Sequence, residues 1–142
     1  MSTDLYDPMI NRHIEASMDR IRQDLSTAMP LTAAPIDAWM RDLAGDLPPA
    51  AYFTHPHAFP MLLLPWWLAQ TLAPAPDAPF QSDVIYSTMN GYYYIRMIDN
   101  LMDGHATGEL PLLPALGFFH TRFAQPYYPY FPAAHPFWPA FE

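Results

Sequence analysis

The chain has 142 residues, six basic side chains against fourteen acidic ones, a net charge of −8, no Cys and eighteen Pro. That length suits one domain with a core of its own, and a composition 51% apolar and 15% aromatic is far too rich for a disordered acidic tail. All six cations are Arg (Arg12, Arg20, Arg22, Arg41, Arg96 and Arg122), scattered through an acidic sequence with no cluster to neutralise a nucleic-acid backbone, so nucleic acid is not the expected partner. Without Cys there is no disulfide, thiolate metal site or thiol nucleophile. The first eight residues carry two Asp and no basic stretch leading into an apolar one, unlike a signal peptide; the cytoplasm is the expected location.

In chain order, Asp7-Pro8 reads as an N-cap with Pro opening a helix, and Ile10, Ile14, Met18, Ile21 and Leu25 recur at helical spacing up to about Met29. Asp19, Arg20, Arg22 and Asp24 fall on its other face and read as solvated charge. Residues 35–44 suit a second helix with Ile36, Trp39, Met40 and Leu43 on one stripe and Gly45 as its stop, after which Pro48 and Pro49 break the chain. Residues 59–72 form an apolar run of fourteen, short of the roughly 20 that a membrane span needs, and are expected to make a helix central to the core. A Pro-rich loop over 74–79 leads into the longest Pro-free stretch, 80–103, expected as one long helix stopped by Gly104. Residues 112–123 suit a further helix, while the closing segment carries too many Pro for a regular one. No period-two pattern is sustained, so the expected fold is an all-α bundle of about five helices in a single domain spanning residues 1–142. The ending is open to two readings: the tail packs as a coil, or the sequence is the amino-terminal part of something longer.

The most informative residues are Asp99-Asn100-Leu101-Met102-Asp103, at the carboxyl end of the long helix. A spacing of four puts Asp99 and Asp103 on one face a turn apart. Like charges at that spacing repel and anions oppose the helix dipole at its C-terminus, each at about 0.3–1 kcal/mol. A bound cation reverses both costs, and oxygen ligands favour a hard ion such as Mg²⁺. The alternative is two ordinary surface aspartates near a helix end. Arg96 and Tyr92 share this face; Arg96 suits either a diphosphate contact or a pairing with Asp99.

The stretch from Tyr92 to Gly104, with Asp99-Asn100-Leu101-Met102-Asp103 at its end, resembles the first aspartate-rich helix of the class I isoprenoid synthases, the superfamily of trans-prenyl diphosphate synthases, squalene and phytoene synthases and terpene cyclases. Phe59-Pro60-Met61-Leu62-Leu63-Leu64 is similar to the block that precedes it there, so that the likeness covers about a third of the chain. The resemblance implies a helical bundle in which Asp99, Asn100 and Asp103 bind Mg²⁺, Asp99 and Asp103 serve catalysis, and Arg96 and Tyr92 contact an allylic isoprenoid diphosphate that ionises and then cyclises or condenses. Tyr92, Tyr93, Tyr94, Trp66, Trp67 and Phe119 are the aromatic rings available to hold a carbocation, or else to pack the core.

This sequence departs from that pattern in three ways. Asn100 stands where most branches have a second Asp; no candidate for the downstream second metal site is found; and residues 55–60, His55-Pro-His57-Ala-Phe-Pro, lack the cations that hold isopentenyl diphosphate. Head-to-tail elongation is therefore the activity least compatible with the chain. His55, His57 and His105 read as loop residues more than as a zinc site, with His105 capping the helix or accepting a proton. The second expectation is a non-catalytic helical subunit or interaction module, pairing as a homo- or hetero-oligomer through an aromatic helical face.

Overall fold

The computed structural model describes residues 6–55, 61–104 and 109–142. It is all-helical, with no strand among the described residues. Among the described residues seven helices follow in order: α1 (Pro8–Ala28), α2 (Ala33–Ala44), α3 (Pro49–Tyr52), α4 (Leu63–Leu72), α5 (Ala78–Met102), α6 (Pro114–Ala124) and α7 (Phe137–Phe141). Two 3-10 turns, Leu110–Leu112 and Gln125–Tyr127, flank α6. None of these helices is long and apolar enough to cross a membrane.

Local chemistry sets the boundaries. Asp7 caps α1, its Oδ1 accepting the backbone N–H groups of Met9 at 2.7 Å and Ile10 at 3.0 Å, and its Oδ2 takes the indole N–H of Trp66 from α4. Helix α2 starts two residues before Pro35, because a first-turn residue has no intrahelical acceptor for its N–H and Pro there forfeits nothing. Pro49 opens the short α3 where the sequence suggested only a break. Asp77 caps α5 with Pro79 in its first turn, and Gly104, at φ 72°, follows its end.

Helix α5 is the axis of the domain. Its widest contacts are with α6 and then α1, and through its middle Ile85, Tyr86, Ser87, Met89, Asn90, Gly91 and Tyr93 are all buried. Helix α1 brings Ile10, Ile14, Met18, Ile21 and Leu25 to the core, and α2 adds Ile36, Trp39 and Met40. Trp39 packs against Tyr93 and Phe119, joining α2, α5 and α6 in one aromatic cluster.

Three expectations change. Helix α4 is not central: only Leu63 and Trp66 are buried, while Leu64, Trp67, Leu68 and Leu72 are 40–80% exposed along one stripe. An apolar run does not reveal which of its sides finds a neighbour. The charges of α1 are not merely solvated: Arg20 pairs with Asp83 at 2.7 Å, Arg22 with Asp37 at 2.8 Å, and Asp24 accepts the Tyr86 hydroxyl at 2.5 Å with Arg122 at 3.8 Å. The Pro-rich tail is ordered by its rings, with Phe131 stacked on Phe137 at 4.1 Å between centroids and Phe141 against Phe123 at 4.8 Å. Tyr130 donates to Asp83 at 2.7 Å and ties that tail to α5.

Two predictions follow from this packing. A methyl group at Gly91 would lie 2.8 Å from Cδ2 of Phe123, so α5 and α6 approach as closely as they do only because position 91 has no side chain. Gly91→Ala is expected to lower stability by about 1–3 kcal/mol in denaturant titration, despite the better helix propensity of Ala. Burial raises the pKa of Tyr6, Tyr86, Tyr92, Tyr93 and Tyr127, and the hydrogen bond to Asp83 pushes that of Tyr130 up to about 12. The unfolded chain ionises these phenols near pH 10, so their contribution to stability is complete below about pH 10 and is lost as pH rises further. Tyrosinate absorbance at about pH 11 is expected to be clearly lower for the folded chain than for the same chain in denaturant.

Candidate functional site

The last three turns of α5 leave the enclosure that holds its middle. At 100° per residue, Tyr92, Arg96, Asp99 and Asp103 fall along one line of the helix, with Ile95 and Met102 beside them. Tyr93, Met97 and Asn100 fall on the opposite arc and are buried. The open arc is centred on Asp99, whose side chain is 54% exposed, and Asp103 is also exposed. Ile95 and Met102 are 65% and 82% exposed, so two carboxylates stand beside two unusually open apolar side chains.

Arg96 Nη1 lies 3.2 Å from Asp99 Oδ2, an exposed pair of modest worth. It relieves one of the two carboxylates. The Asp103 side chain has no partner among the described residues, although it sits at the C-cap of α5, where its charge opposes the helix dipole.

The structure brings Asp99, Asp103 and Arg96 together on the open arc and puts Asn100 elsewhere. The Asn100 side chain is buried, and its Nδ2 donates to Oε1 of Glu109 at 2.7 Å. Trp39 Nε1 donates to the same oxygen at 3.1 Å. The amide nitrogen of Asn100 is thus committed to the core, and the acidic pair stands without it. Among the described residues no group of three His, Asp or Glu side chains is arranged to hold a metal ion.

Tyr92 lies on the line of the aspartates but dips toward the core. Its hydroxyl is 2.5 Å from that of Tyr52, and its ring packs edge-on against Phe53 at 5.4 Å, anchoring the short α3 to α5. Burial, followed by the Tyr52 hydrogen bond, raises its pKa and keeps it a neutral phenol. His57, His105 and the Phe59-Pro60 part of the apolar block lie outside the described residues.

Sequence reasoning missed Ile95 and Met102, whose signal was their position beside the line of the aspartates, and it missed Glu109, which carried no local signal at all. A separate cleft of about 760 Å³ opens between α6 and the tail, lined by Phe123, Tyr128, Phe131, Trp138 and Phe141 with His120. Neither aspartate lines it.

The unrelieved charge at the end of α5 gives a direct prediction. Asp103→Asn removes a repulsion with Asp99 and an unfavourable dipole contact, and is expected to stabilise the metal-free chain by about 0.3–1 kcal/mol in thermal unfolding without added metal. Comparison of the chain with protein-family models, with curated proteins and with solved structures found no match, so the site rests on its own residues.

Proposed function

We propose that the chain supplies the metal–diphosphate face of a class I isoprenoid synthase, acting on an allylic isoprenoid diphosphate with Mg²⁺ at Asp99 and Asp103. The observation that supports this reading best is the make-up of the open arc of α5. Two carboxylates one turn apart, carrying more negative charge than Arg96 offsets, stand beside Ile95 and Met102. An isoprenoid diphosphate makes both demands at once, a cation-mediated hold on its head group and an apolar surface for its chain.

The donor set fits the ion. Mg²⁺ prefers oxygen, keeps several waters and is commonly held by one or two carboxylates together with substrate phosphate oxygens, so Asp99 and Asp103 suffice as the contribution of this helix. When bound there, Mg²⁺ would draw charge onto the leaving diphosphate and favour ionisation of the allylic carbon–oxygen bond. Arg96 is placed to exchange its pairing with Asp99 for a diphosphate oxygen, a stronger acceptor for a guanidinium. The neutral phenol of Tyr92, fixed by Tyr52, is an aromatic ring on the same line of the helix, the kind of group that steadies a nearby carbocation. Cyclisation, or condensation of two allylic diphosphates, fits better than elongation, because the only cation on this arc is Arg96.

A second reading has its own support. The exposed stripe Leu64, Trp67, Leu68 and Leu72 on α4 gives the domain an uncovered apolar face, as a non-catalytic subunit that pairs with another chain would have.

Calorimetric titration of farnesyl diphosphate separates the two readings. The enzyme reading expects binding that requires Mg²⁺ and weakens at least tenfold in both Asp99→Asn and Asp103→Asn, a loss of about 1.4 kcal/mol or more. Absence of heat with the folded wild-type chain, with and without Mg²⁺, would sink that reading and favour the interaction module.

A further inference from the structure

The buried carboxylate of Glu109 has no place in the reading above. It is 7% exposed and lies at the start of the Leu110–Leu112 turn, with no Arg or His paired to it among the described residues. A buried carboxylate without a cation depends on hydrogen-bond donors. Here the donors come from two helices: Asn100 Nδ2 from α5 at 2.7 Å and Trp39 Nε1 from α2 at 3.1 Å, both on Oε1. Trp39 is in turn held by Tyr93 and Phe119. One oxygen atom therefore joins the last turn of α5 to α2 and to the residues that open α6.

We infer that Glu109 is a positioning residue, which fixes the last turn of α5 through Asn100 and Trp39 and so holds Asp99 and Asp103 facing outward together. This rests on the reading of those two aspartates as the Mg²⁺ pair. Asn100 and Glu109 form a donor–acceptor couple whose identities depend on each other. An Asp at position 100 would replace that donor with a second acceptor 2.7 Å from the first, a pair that is satisfied only by holding a proton between them. The carboxamide at the middle of Asp99-Asn100-Leu101-Met102-Asp103 is thus explained by the core beneath the helix. The turn that carries the aspartates is where the restraint acts: the Asp103 N–H donates to the Asp99 carbonyl at 2.9 Å, one residue before Asn100 is clamped.

The couple can be tested by exchanging its polarity in the full chain, with Asn100→Asp, Glu109→Gln and the double substitution. In the double variant the new amide nitrogen stands where Oε1 stood and donates to the new carboxylate, which restores the bond between the two positions and gives up the one to Trp39. Asn100→Asp alone is expected to lower the Tm by about 10 °C, and the double variant to recover part of that loss, short of the wild type because the Trp39 bond is not restored. Amide hydrogen exchange provides the local readout. Exchange protection at residues 99–103 should fall at least tenfold more than protection in the middle of α5 in Asn100→Asp, and return in the double variant. The affinity for Mg²⁺ with inorganic pyrophosphate should drop at least tenfold and return in the same order. A double variant no more stable than Asn100→Asp would overturn the couple. Protection lost uniformly along α5, or metal affinity equal in all variants, would overturn the positioning role. A wild-type chain that takes up no Mg²⁺–pyrophosphate would refute the metal reading and with it the purpose assigned to the clamp, while the Tm and exchange arms still decide whether the clamp exists.

Discussion

The approach of α6 to α5 at Gly91 sets the rest of the domain. Ser87 Oγ donates to the Phe123 carbonyl at 2.6 Å one turn from the point where the Phe123 ring crosses Gly91. With α6 that close on one flank and α1 docked on the other, the middle of α5 has little free surface, and its large side chains must interlock with both neighbours. The consequence is felt at the far end. A helix gripped so firmly over its centre is a rigid strut, and its last turns project Asp99, Asp103, Ile95 and Met102 from an anchored base. Rigid presentation is what a pair of carboxylates needs in order to share one ion.

The same grip separates two kinds of polar interaction. Along α1 the charged side chains bridge outward, with Arg20, Arg22 and Asp24 each meeting a partner on another element at the edge of the core. Each bridge is partly open to water and contributes specificity of docking more than stability. Beneath the end of α5 the arrangement is inverted: Glu109 is buried, and neutral donors replace cations. An acidic chain with no Lys and only six Arg has few counter-ions to spend inside. Amide and indole N–H groups carry that burden instead.

What could be read in the sequence follows the same division. Helix existence was legible wherever capping and periodicity agreed, as at Asp7-Pro8 with the Ile and Leu of α1, or at Gly104 after α5. The line of Tyr92, Arg96, Asp99 and Asp103 was legible too, because spacing along one helix fixes which residues share a side. Burial was not. Residues 63–72 are apolar almost throughout, so periodicity gave no sign that Leu63 and Trp66 face inward while Leu64, Trp67, Leu68 and Leu72 face out. Asn100 was misleading for the same reason: within the motif it looked like a weakened ligand, and only the fold brings Glu109 and Trp39, nine and sixty-one positions away, beneath it. The tail was obscured by its Pro content, because ring stacking orders a segment without leaving a backbone period to detect.

The docking of α1 against α5 also has a meaning in time. Arg20 meets Asp83 and Asp24 meets Tyr86, partners more than sixty positions apart, whereas α6 closes on α5 after a short connection. Loops of such different length close at different entropic cost, and the local helical pair is the cheaper one. During synthesis α1 is made well before α5, the helix it meets through Arg20 and Asp24. The most regular apolar face in the sequence therefore meets α2 and α3 early and its main neighbour, α5, late.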